Sequence, residues 1–192
     1  EELFDTTKDA ASLIESRASS LEELTEKTLD ICSDIPELKD VIKTIVSLNA
    51  KAYNTKQFAS TTNSSLDKLA SGKKAPEYEQ ASTNMYIGFN KIDNQLSIGK
   101  AFVENALTYL EGKEGEEYNP IIDLIAEWSF YCAENSYLMK NDDMAYWADE
   151  ITVFAYPEAL GSKFQESFGS KFQESFGSKF QESFGSKFQE SF

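Results

Sequence analysis

The chain has 192 residues, with 33 acidic side chains against 18 basic ones, no histidine and a formal net charge of −15. Such an excess of carboxylates excludes binding to a phosphate backbone, which requires Lys/Arg patches, so no nucleic acid is expected as a partner. An anionic membrane surface is excluded on the same ground, and a protein or peptide partner of neutral or basic character is favoured. The absence of histidine removes the commonest general base and the commonest transition-metal ligand. It also rules out Ser/His and Cys/His nucleophiles and the Glu-x-x-His pair of di-iron bundles. No Gly-rich phosphate-binding motif occurs, so the chain is expected to be non-enzymatic, without cofactor or metal.

Proline sets the joints. Pro36, Pro76, Pro120 and Pro157 are the only four, and the first three stand where a helix should begin, since proline fits the first turn. Gly72, Gly112 and Gly115 precede two of them as helix stops. Between the joints the apolar residues recur at helical spacing. The first piece runs Ile14, Ala18, Leu21, Thr25, Thr28 and Cys32. The second runs Leu38, Val41, Ile45, Leu48, Ala52, Thr55, Ala59, Thr62, Leu66 and Leu69, and the third Ser82, Met85, Phe89, Ile92, Leu96, Gly99, Val103, Ala106 and Leu110. The fourth comprises Ile122, Ile125, Ser129, Cys132, Ser136 and Met139, and a short fifth Met144, Ala148, Ile151 and Ala155. No alternating strand pattern interrupts them. The expected fold is all-α: residues 1–160 form an acidic, antiparallel up-down bundle with coiled-coil-like seams, four long helices plus a short fifth, followed by a repetitive C-terminal tail.

The seams contain unusually small residues. Ala52, Thr55, Ala59 and Thr62 occupy the middle of the second stripe, Gly99 lies on the third and Cys132 on the fourth. Small residues serve either close approach of helices or a groove left for a guest, which Phe89, Phe102 and Trp128 would help to line. Those nine residues are the candidate partner-binding groove.

The remaining polar features carry bland explanations. Asn141, Asp142 and Asp143 fit an N-cap and an acidic first turn rather than a calcium loop. Glu22, Glu23 and Glu26, with Glu104 and the run from Glu111 to Glu117, read as solvated faces and a loop. Asn63-Ser64-Ser65 matches a glycosylation sequon but falls inside a helix. Cys32 and Cys132 lack metal or redox spacing and are expected to be buried free thiols. No apolar run approaches the ~18 residues of a membrane span. Because the chain opens on Glu1 rather than Met, it reads as trimmed or processed; it is expected to be soluble, its compartment is unknown and secretion stays open.

From Gly161 to Phe192 the octapeptide GSKFQESF occurs four times without change. Each copy is electrically neutral and spaces two phenylalanines four apart, so they share a face on a helix. Natural multivalent tail, engineered ligand fusion and inert expression device all account for so exact a repeat. The tail motif comprises Phe164, Phe168, Phe172, Phe176, Phe180, Phe184, Phe188 and Phe192. The resulting expectation is a protein–protein interaction module whose bundle binds a peptide or helix with Phe-x-x-x-Phe spacing. The tail is then a multivalent ligand or an assembly arm through which the chain forms a homo-oligomer. The alternatives are a secreted or surface-exposed helical domain (sensor, adhesin or toxin component) and a self-assembling structural protein.

Overall fold

The computed structural model describes residues 2–69 and 75–138. Within them the protein is all-helical: α1 spans Glu2–Cys32, α2 Lys39–Leu69, α3 Ala75–Leu110 and α4 Asn119–Leu138, and no strand occurs among the described residues. The expected short fifth helix, Pro157 and the octapeptide tail lie outside them.

The joints follow the proline grammar. Pro36 opens a single 3-10 turn, Pro36–Leu38, that feeds α2, while Pro76 and Pro120 sit in the first turns of α3 and α4. Between α3 and α4 the chain reverses through Gly112 (φ +74°) and Gly115 (φ +138°), both in backbone regions that side chains with a Cβ rarely adopt. The Lys113 amide donates to the Leu110 carbonyl at 3.0 Å, closing the turn.

The chain divides into two compact units, Glu1–Glu26 with Ile45–Gln95 and Lys27–Thr44 with Leu96–Phe192. In the first, α1 and α2 run antiparallel, as their bridges show. Lys8 donates to Asn63 at 2.7 Å and pairs with Asp67, whereas Lys56 pairs with Glu22 at 3.1 Å and the Asn49 amide donates to the Thr25 hydroxyl at 2.9 Å. Ile14, Ala18, Leu21 and Thr25 meet Ile45, Leu48, Ala52, Thr55, Ala59, Thr62 and Leu66 in this unit's buried interior. Each large aliphatic side chain so buried contributes roughly 1.5–3 kcal/mol. Asn63 of the sequon is held on both sides, because its amide nitrogen also donates to the Ser12 hydroxyl at 3.2 Å.

In the second unit α3 and α4 run antiparallel. The Cys132 thiol points to the Leu96 carbonyl at 3.8 Å, and the rings of Phe102 and Trp128 lie 5.9 Å apart. The end of α1 joins them: Trp128 Nε1 donates to the Thr28 hydroxyl at 2.9 Å, and Lys27 pairs with Glu127 at 2.8 Å and Asp123 at 3.5 Å. Desolvation pulls the Lys27 ammonium down, but those two carboxylates outweigh it and raise its pKa.

One stripe differs from expectation. Ile125, Ser129 and Cys132 are buried as their spacing implies, but Ile122 is half-buried and Ile121 takes its place inside. Leu124, Ala126, Trp128, Phe130, Tyr131, Ala133, Glu134 and Asn135 are buried as well. The physical reason is compositional. From Pro120 to Leu138 α4 contains no Lys or Arg and only three carboxylates, and a helix apolar on nearly every side packs on more than one face.

Candidate functional site

The nine groove candidates are distributed over both units. Ala52, Thr55, Ala59 and Thr62 belong to the first, together with Phe89, whose side chain lies outside the description; Gly99, Phe102, Trp128 and Cys132 belong to the second. The second set is brought into direct contact. A Cβ at Gly99 would stand 2.7 Å from Trp128 Cε3 and 3.0 Å from the Cys132 sulfur, so the glycine lets the indole lie against the α3 backbone. All eight described candidates are buried.

Their polar groups are satisfied at home. The Thr55 hydroxyl donates to the Lys51 carbonyl at 2.9 Å and that of Thr62 to the Phe58 carbonyl at 3.0 Å. Thr25 does the same to Leu21 at 2.9 Å. Back-bonding of this kind lets a threonine enter a seam without another partner. The small residues therefore sit where helices pack closely, and their buried surfaces do not face an open groove in this conformation.

Burial decides the chemistry of the thiols. Both are free and buried, and desolvation pushes Cys32 up to about 11 and Cys132 up to about 12. Neither is a thiolate near neutrality, so neither is a nucleophile. Among the described residues no group of three or more cysteines and carboxylates is placed to hold a metal ion, and no helix is long and apolar enough to cross a membrane.

An accessible cleft lies elsewhere in the second unit, with a volume of about 320 Å³ and a lining of Glu37, Glu104, Asn105, Thr108, Tyr109 and Lys113. The 3-10 turn opened by Pro36 supplies Glu37, and the last turns of α3 supply the others save Lys113, which follows Gly112. Lys113 folds back so that its ammonium donates to the Tyr109 carbonyl at 2.7 Å and lies 4.4 Å over the Tyr109 ring. The opposite neighbour of that ring is Tyr118, edge-on at 6.4 Å. Partial burial, then the proximity of Tyr118 and Glu37, raises the Tyr109 phenol. Thr108 and Asn105 donate to carbonyls of their own helix, 3.1 and 2.7 Å away. Glu37 and Glu104 are exposed and have no ion-pair partner among the described residues. The cleft thus brings two carboxylates without an ion-pair partner among the described residues together with the Tyr109 ring and the Lys113 ammonium.

Sequence reasoning passed over these residues because Glu104 reads as part of a solvated face and Tyr109 stands one place before the buried Leu110. The available signal was local: Tyr109, Lys113 and Tyr118 flank the Gly112 turn, where an aromatic exposed by the chain reversal can gather polar neighbours. The chain is acidic, and among its described residues it is all-helical with a cleft at the surface of the second unit. No protein-family model matches the chain, and neither a curated protein nor a solved structure matches it significantly.

Proposed function

We propose that the protein is a non-enzymatic interaction module: an antiparallel up-down bundle over residues 1–160, completed by a short fifth helix, that captures peptides of Ser-Lys-Phe-x-x-x-Phe type. The observation that carries this reading is the cleft lined by Glu37, Glu104 and Tyr109, whose ring meets that of Tyr118 edge-on. A lysine followed by an aromatic is the complement of such a surface, charge for charge and ring for ring. The chain itself carries that sequence four times between Gly161 and Phe192. Four linked copies raise the effective concentration of a weak motif without any new contact, which makes the tail a multivalent ligand for clefts on other copies or other acidic helical modules.

The test uses the full chain with its eight tail phenylalanines changed to alanine, so that no internal copy competes. A labelled SKFQESF peptide titrated into it by fluorescence anisotropy should bind saturably. Glu104→Lys should weaken binding by about tenfold, the loss of one charge-assisted contact worth ~1.4 kcal/mol. An unsaturable titration, or equal binding of a peptide with both phenylalanines changed to alanine, refutes the proposal.

A further inference from the structure

The first unit leaves a surface that the proposed peptide site does not use. The three large apolar side chains exposed among the described residues are Val46 (54%), Tyr53 (50%) and Ile87 (41%), and all three belong to this unit. Val46, Ala50, Tyr53, Gln57 and Ser64 form an outward stripe on α2, exposed throughout, at heptad-like spacing. It lies on the opposite side of the helix from the buried stripe through Ile45, Leu48, Ala52 and Thr55. On α3 the exposed Gln80, Thr83, Ile87 and Asn90 repeat the spacing. Lys91 of α3 lies 5.0 Å over the Phe58 ring of α2, so the two helices are neighbours here.

Charge makes these faces unusual. Thirty-three acidic residues are spread over the chain, yet none falls between Val41 and Leu66 or between Gln80 and Ile92. A protein of net charge −15 repels its own copies through most of its surface. The charges in these two windows are Lys43, Lys51, Lys56 and Lys91, of which Lys56 is paired with Glu22, so carboxylate repulsion is locally absent where the exposed apolar groups gather. We propose that the outer faces of α2 and α3 in the first unit form a homodimer interface, each occupied by the same face of a second copy. An isologous contact sets uncharged stripe against uncharged stripe and keeps the carboxylates of both copies outside. Ala50 and Ser64, on either side of Tyr53 and Gln57, are small enough for close approach. The α2 stripe from Val46 to Ser64 is about 27 Å long at ~1.5 Å per residue, and two neighbouring helices are about 20 Å wide. That area falls somewhat below the roughly 800 Å² per partner of a standard interface, so the dimer is a weak one.

Sedimentation velocity over a concentration series tests this, on the full chain with its eight tail phenylalanines changed to serine so that the proposed tail–cleft contacts do not contribute. The expected result is a reversible monomer–dimer equilibrium that strengthens with added salt, because screening relieves the repulsion between two acidic bodies. Tyr53→Glu with Ile87→Glu should weaken dimerisation by tenfold or more with helicity unchanged. Gln57→Lys with Asn90→Lys, which alters only polar exposed positions, should do so too if the first pair fails to fold. The parent chain, which adds the proposed tail–cleft contacts, should show the same dimer as its smallest associated species. The proposal is overturned by a tail-substituted chain that is monomeric at every concentration, by a dimer indifferent to both surface variants, or by open-ended growth of the tail-substituted chain beyond the dimer.

Discussion

At the scale of single residues, burial does most of the chemistry. Trp128 is almost wholly enclosed, and its one polar atom finds the Thr28 hydroxyl at 2.9 Å, so the largest side chain among the described residues of the second unit enters the core without a desolvated donor. The thiols show the same control in their protonation. Below pH ~9 Cys32 and Cys132 are protonated in both folded and unfolded chains, and their neutral burial costs nothing. As pH rises past the ordinary thiol value of 9.0, the unfolded chain ionises first, while the folded thiols stay neutral to about 11 and about 12. Stability from these groups is therefore complete below pH ~9 and lost as pH climbs through the folded values. Urea unfolding at pH 8 and pH 10 should show a smaller loss for Cys132→Ala than for the parent chain. Equal losses would mean that Cys132 is exposed enough to ionise in place.

Elements were legible to the degree that each helix has one wet side. In α1 and α2 every described residue of the expected stripes is buried, from Ile14 to Cys32 and from Leu38 to Leu66, because charged residues flank those stripes and leave the 3.6-residue period uncovered. The stripe of α4 was half legible. With few charges to mark an outer face, its periodicity does not separate Ile121 from Ile122. The groove candidates pose a different ambiguity: glycine, alanine and threonine on a seam look alike whether they make room for a guest or for another helix. At Gly99 the facing side chain lies elsewhere in the sequence: it is Trp128, 29 places on. The same pair yields an element-scale prediction. Gly99→Ala adds a methyl group 2.7 Å from the indole, and such overpacking costs roughly 1–3 kcal/mol, against a gain of up to ~1 kcal/mol in helix propensity. The variant should unfold at lower temperature, with the fall visible in the near-ultraviolet signal of the indole. A rise in melting temperature would contradict the close approach of α3 and α4.

For the whole molecule, charge and surface carry the functional account. The sequence holds no histidine, and its negative charge led to the expectation of a peptide rather than a nucleic-acid partner. It did not locate the surface, because a cleft assembled from Glu37, Glu104 and Tyr109 brings together residues about seventy positions apart, each ordinary in its own window. The two faces proposed to bind are distinct in character as well as place. The cleft of the second unit, lined by Glu37, Glu104 and Tyr109, is proposed for a Lys-Phe motif, whereas the outward stripes of α2 and α3 in the first unit carry no carboxylate and are proposed to meet their own kind. A chain with one surface for itself and another for a repeated peptide has the valence to cross-link.

The most direct measurement of the central claim is a map of amide chemical shifts while SKFQESF peptide is added to the isotope-labelled chain with its tail phenylalanines replaced. The account predicts perturbations concentrated at Glu37 and from Glu104 to Tyr118, with Ala52, Thr55, Ala59 and Thr62 unmoved. Shifts centred on those four seam residues would place the guest inside the helix packing and contradict the account, and so would an unchanged spectrum at saturating peptide.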